Sequence, residues 1–382
     1  MWIRSRALAF LLAFALLLAP ACTSRTASDA PPPDSVTPSV VTAEAPPAAD
    51  TLVLIPVELR IGYGAESDWL SVYFTDPFSP YINSREGGPD SRLVRAIDDA
   101  RQRVDVAIYS LNLWSIRDAL LRAHKRGVTV RLVVEEKEAG EDALRRLAAA
   151  GIPIVTDTGE GLMHNKFVII DQNEVWLGSA NFTLGSMYYG NNNLVRIRSQ
   201  ELAANYTSEF EEMFLEGFFG PDILRNTPNP RLTVNSVNFE VYFSPDDQPA
   251  DRIVELLYDA QESIHFLAFS FTSDDISQAL QDRFNNGVAV RGVMEADQVR
   301  TNEGTEYDTF RQLGMVVRLD GNPGDMHHKV IIVDERIVIM GSYNFSRSAE
   351  ERNDENLLII HSPQVARVFM EEFQRVFERA EP

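Results

Sequence analysis

Two short runs in this chain carry the same side chains at the same spacing. His164, Lys166 and Asp171 stand in HNKFVIID, followed by Gly178, Ser179 and Asn181 in GSAN. His327, Lys329 and Asp334 stand in HHKVIIVD, followed by Gly341, Ser342 and Asn344 in GSYN. An imidazole can attack an electrophile or move a proton near neutral pH. On a strand, residues i and i+2 share a face, so each His points together with its Lys. Asp171 and Asp334 lie an odd number of positions away and face the other side. That placement suits anchoring a turn or pairing with a cation. Ser179, Asn181, Ser342 and Asn344 would add hydroxyl and amide donors beside the imidazoles. Positive charge and donors of this kind stabilise crowded anionic oxygens without a metal, and no His/Cys/Asp cluster has metal-ligand spacing.

The elements that must hold these groups are also duplicated. Val106–Leu111 reads as a buried strand, Ser115–Arg126 as an amphipathic helix ending at Gly127, and Val128–Glu135 as a second strand. Residues 264–271, a helix from about Asp274 to Asn286, Gly287, and residues 288–295 repeat that order. Met163, His164, Lys166 and Asp171 recur as Met326, His327, Lys329 and Asp334 at an offset of 163, which persists to Phe214 and Phe377. Continuous apolar strands joined through helices predict parallel pairing. The expected fold class is α/β: two pseudo-symmetric sandwich halves, with mixed, largely parallel sheets flanked by helices. The halves are assigned to residues 51–230 and 231–382.

The N-terminus reads differently. Arg4 and Arg6 precede an apolar run from Ala7 to Ala19, then Ala21 and Cys22, the only cysteine. This is the layout of a signal peptide over residues 1–22, and the run is too short to span a bilayer. The segment Leu16–Cys22 resembles a bacterial lipoprotein signal in which Cys22 becomes acylated; plain secretion with cleavage near Ala21 is the alternative. Residues 23–50, rich in Pro, Ala, Ser and Thr, read as an extended tether. The expected location is the cell envelope, anchored at the outer membrane or a periplasmic face. A net charge of −21 disfavours sequence-independent wrapping of nucleic acid.

The paired His-x-Lys-x4-Asp and Gly-Ser-x-Asn motifs resemble the signature of the phospholipase D superfamily, over most of residues 60–380. The resemblance implies phosphodiester cleavage in two steps through a phosphohistidine. His164, Lys166, His327 and Lys329 become the expected catalytic groups, and Ser179, Asn181, Ser342 and Asn344 the phosphate-binding ones. No cofactor or metal is implied. The family usually places an acidic residue shortly after Gly-Ser-x-Asn to back the imidazole. Glu355 holds that place in the second half and Asn192 in the first. Glu355 is therefore expected to raise the proton affinity of His327, making it the acid/base and leaving His164 neutral as nucleophile. Asn192 could instead mark a crippled first half-site. Phospholipid head-group hydrolysis by a monomer is the leading expectation. The alternatives are a nuclease acting on single-stranded nucleic acid, a phosphatidyl-transfer synthase, and a non-catalytic envelope binding protein.

The remaining histidines, His124, His265, His328 and His361, read as structural or solvated. Met187, Tyr188 and Tyr189 read equally as ligand contacts or as ordinary packing.

Overall fold

The computed structural model describes residues 52–322 and 324–381. Cys22, the signal-peptide region and the 23–50 tether lie outside the described residues.

The strands of the first half are β1 (Ile55–Glu58), β2 (Tyr63–Glu66), β3 (Leu70–Phe74), β4 (Arg103–Ile108), β5 (Thr129–Val134), β6 (Ile154–Thr156), β7 (Lys166–Ile170), β8 (Glu174–Gly178) and β9 (Asn193–Arg198). They form one sheet in the order β1-β2-β3-β9-β8-β7-β4-β5-β6. The second half supplies β10 (Arg231–Val234), β11 (Val237–Ser244), β12 (Ser263–Ala268), β13 (Ala289–Met294), β14 (Val316–Leu319), β15 (Lys329–Val333), β16 (Ile337–Gly341) and β17 (Glu355–His361). Their order is β10-β11-β17-β16-β15-β12-β13-β14. The second sheet thus repeats the first without one edge strand.

Two α/β halves with helix-flanked sheets match the sequence expectation, but the expected predominance of parallel pairing does not hold. Only β4-β5-β6 and β12-β13-β14 are parallel; every other neighbouring pair is antiparallel. The cause is connection length. A parallel step needs a helical crossover, whereas β7–β8 and β15–β16 are joined by hairpin turns that permit only antiparallel pairing. In both turns the two central residues have positive φ: Asp171 and Gln172 in one, Asp334 and Glu335 in the other. Positive φ at both central positions is type I′ turn geometry, here closing a three-residue connection, and aspartate tolerates it.

Both faces of each sheet are covered, which explains the unbroken apolar strands. Along β7, Phe167 and Ile169 join a central core, while Val168 and Ile170 join the outer core under helices Asp90–Asp99, Trp114–Lys125 and Asp142–Ala149. Along β15, Val330 and Ile332 enter that same central core, and Ile331 and Val333 pack outward. The central core also takes Tyr206 and Phe210 from helix Gln200–Glu211, and Phe369 and Phe373 from helix Pro363–Arg379. One apolar layer therefore fuses the two halves and fixes the strand ends that meet at the seam. No helix among the described residues is long and apolar enough to cross a membrane.

Candidate active site

Each His-x-Lys strand begins by pairing across the seam rather than within its own half. Met163 bridges Asp354, and Met326 bridges Asn191. His164 N donates to Asp354 O at 3.0 Å and His327 N to Asn191 O at 2.9 Å. The residue after each bridge partner, Glu355 or Asn192, therefore arrives beside the histidine of the opposite half.

His164 Nδ1 lies 2.7 Å from Glu355 Oε2. His327 Nδ1 lies 3.0 Å from both Asn192 Oδ1 and the Ser179 carbonyl oxygen. This corrects the sequence expectation that Glu355 backs His327. The motif spacing is symmetric within each half, but the bridges across the seam set each backing residue against the histidine of the other half. The ground for calling His164 the unbacked, neutral imidazole falls with it.

The serines are also placed differently from the expectation. Ser342 Oγ donates to Glu355 Oε2 at 2.7 Å and accepts from Asn356 N at 3.0 Å. Ser179 Oγ donates to Asn192 Oδ1 at 2.9 Å and accepts from Asn193 N at 3.1 Å. Both serines are fully buried, so their hydroxyls orient the groups behind the imidazoles instead of facing a phosphate. The preceding glycines permit this closeness: a Cβ at Gly178 or Gly341 would collide with the carbonyl oxygen of Asn193 or Asn356.

Asn181 and Asn344 are half-buried and their side chains make no hydrogen bond among the described residues, which leaves each Nδ2 donor free for a ligand oxygen. They are the Gly-Ser-x-Asn side chains left with capacity for a ligand. Asp171 accepts from the backbone N–H groups of Arg101, Gln102 and Arg103, and Asp334 from those of Gln261, Glu262 and Ser263. Both aspartates thus tie a hairpin turn to the start of a neighbouring strand, far from the imidazoles in role.

The two lysines are buried and their Nζ atoms donate to the carbonyl oxygens of their own histidines, at 2.8 Å for Lys166 and 2.9 Å for Lys329. Burial lowers Lys166 to about 7, with Glu355 opposing. Burial and then Lys166 push Lys329 well down. Burial, then the two ammonium groups, push His164 down; His327 is lowered by burial, by both lysines and by His164 itself. Burial lifts Glu355 to about 7 against the pull of Lys166. Crowded cationic groups of this kind gain from taking up an anion, whose charge restores their proton affinity.

Two aromatic residues at this site were not singled out from sequence. Tyr109 sits edge-on to His164 at 5.2 Å and Phe269 to His327 at 4.5 Å, with the neighbouring lysine over each ring. Each follows the end of a strand that leads into a helical crossover, a position that could have flagged them. Tyr188 is core: its hydroxyl donates to Asp90 at 2.8 Å. His265, His328 and His361 are held by Phe373, Glu372 and Glu240 respectively. Among the described residues no group of three His, Cys, Asp or Glu is placed to hold a metal ion.

Comparison with known proteins gives the same picture of a duplicated unit. The family model described as "Cardiolipin synthase, PLD-like domain" matches residues 93–214 and 253–377. The human mitochondrial cardiolipin hydrolase is 38% identical over 131 residues, covering 34% of this chain and 52% of that protein. A phospholipase D of Rickettsia typhi is 32% identical over 134 residues, 35% of this chain and 65% of that one. The chain therefore matches about half to two thirds of these relatives' length. The structure of a phosphatidylserine synthase from Haemophilus influenzae shares the fold, with a TM-score of 0.61 at 15% identity, covering 76% of this chain and 84% of that one.

Proposed function

Because the chain belongs to the phospholipase D-like family, we propose that it is a metal-independent phosphodiesterase that releases head-groups from membrane phospholipids. The observation that carries this reading is the buried contact between His164 Nδ1 and Glu355 Oε2. An imidazole that donates Nδ1–H to a carboxylate keeps its Nε2 lone pair free. The same carboxylate stabilises the positive charge that grows as Nε2 attacks. His164 is thus the nucleophile on a ground opposite to the one the sequence suggested.

In the first step His164 Nε2 forms a bond to phosphorus, the bond to the leaving alcohol oxygen breaks, and His327 gives that oxygen a proton. In the second, His327 takes a proton from water, the water oxygen bonds to phosphorus, and the phosphorus–nitrogen bond breaks. Lys166, Lys329, Asn181 and Asn344 hold the non-bridging oxygens throughout. Support for a phospholipid substrate comes from the names of the human and rickettsial relatives and from the net charge of −21. The leader pattern ending at Cys22 supports a lipid-anchored enzyme in the cell envelope. Both half-sites in one chain support a monomer as the catalytic unit.

The test offers phospholipid vesicles and single-stranded DNA together, in EDTA, to the wild type and to His164→Ala. Head-group release that disappears in the variant supports the reading. DNA cleavage without lipid turnover assigns a nuclease instead.

A further inference from the structure

Beside the first half-site the surface opens into a groove of about 620 Å³, with Arg85, Asn112, Leu113, Trp114 and Leu184 in its lining. It is tied directly to the catalytic segment. Leu184 N donates to Asn112 Oδ1 at 3.2 Å, and the N–H groups of Asn112 and Leu113 donate to the carbonyl oxygen of Phe182, the neighbour of Asn181. Trp114 is 69% exposed, a large apolar surface left in water beside the site.

The duplication supplies an internal control. In the second half Ser273 and Asp274 occupy the places of Leu113 and Trp114, and Arg347 the place of Leu184. The fold therefore does not require apolar side chains there. Ser273 caps helix Asp274–Asn285 by accepting from Ile276 N, whereas Leu113 gives helix Trp114–Lys125 no side-chain cap. The first half forgoes a stabilising cap, burying Leu113 in the outer core and leaving Trp114 exposed.

The rim adds charge. Arg85 is exposed, its Nε donates to the Tyr189 hydroxyl at 3.1 Å, and it pairs with no carboxylate among the described residues. An apolar floor with an unpaired cation at its edge, in a chain of net charge −21, complements an amphiphile bearing a phosphate. A nucleic-acid base could stack on Trp114 but would meet aliphatic leucines in the same lining, which suit hydrocarbon better. We infer that this groove seats an acyl chain of the phospholipid substrate, with Trp114 and Leu184 flanking the hydrocarbon and Arg85 at its polar end. The inference rests on the phospholipase reading above and assigns the side from which lipid enters.

The test transplants the second half's own residues into the full chain, as Trp114→Asp and separately as Leu184→Arg. Each variant is assayed on long-chain phosphatidylglycerol vesicles and on bis(p-nitrophenyl) phosphate. The ratio of kcat/KM for lipid over the small diester should fall about tenfold or more in both variants, through KM. Lipid turnover with an unchanged ratio in both variants overturns the groove assignment alone. Wild-type cleavage of single-stranded DNA, with no turnover of vesicles, removes the phospholipid reading and this inference with it.

Discussion

His164 Nδ1 and Glu355 Oε2 stand 2.7 Å apart although 191 residues separate them. The matching pair, His327 and Asn192, is a neutral contact at 3.0 Å. Equivalent bridges across the seam build both pairs, so the difference is one of charge rather than of geometry. A single buried carboxylate serves one imidazole, and the two histidines become chemically unlike.

Glu355→Gln should lower kcat on the order of a hundredfold or more while the fold persists, since the amide can still accept from Nδ1 but carries no charge. Burial holds Glu355 at about 7, and the ionised form is the working one. Wild-type activity should therefore rise as pH climbs through this region, and the variant should lose that limb of its pH–rate profile.

Asn192→Asp places a carboxylate against His327. An adjacent negative charge favours the imidazolium form, so the general acid should stay protonated to higher pH. The alkaline limb of kcat should move upward. An unmoved limb would mean that His327 is not the proton donor.

Denaturing, alkaline quenching during turnover of a p-nitrophenyl diester should trap the phosphoryl group, still carrying its second ester, on His164. With His327→Ala the adduct should accumulate, because nitrophenolate leaves without a proton while water attack still needs a base. Peptide mapping of the label to position 327 in the wild type would reverse the roles.

Binding of a phosphate analogue should be accompanied by proton uptake. Burial holds Lys166 at about 7, and burial with repulsion from Lys166 holds Lys329 well below its ordinary value; an anion between them restores their affinity for protons. Calorimetric titration with vanadate near pH 8, in buffers of different ionisation enthalpy, should show this uptake, and Lys329→Met should reduce it.

Asp334→Ala should cost about 1–3 kcal/mol at pH 7 through the loss of bonds to three backbone N–H groups. Burial pushes this carboxyl up, but those bonds outweigh it and hold it below 3.8. Its stabilisation is therefore complete above that value and fades as pH falls through the lower folded-state one. Urea unfolding at pH 7 and at pH 3 should show the gap between wild type and variant narrowing in acid.

The sequence made the reacting faces legible because side-chain direction on a strand alternates, which fixed His164 with Lys166 and turned Asp171 away. The repeat made the two sheets legible. The choice between Glu355 and Asn192 as partner of a given histidine was not legible, because an offset of 163 is the same whether partners lie within a half or across the seam. The serine hydroxyls were misread for a related reason. Spacing shows that Ser179 and Ser342 lie near the imidazoles, but only the backbone turn at the glycine decides which way each hydroxyl faces.

The pairing of each histidine with a residue of the other half bears also on how such a site can change over time. In a symmetric pair of identical chains, positions 192 and 355 would be one gene position, and every substitution would strike both histidines at once. Joining the halves in one polypeptide releases that constraint. One copy can hold glutamate while the other drifts to asparagine, and acid and nucleophile can then be tuned separately.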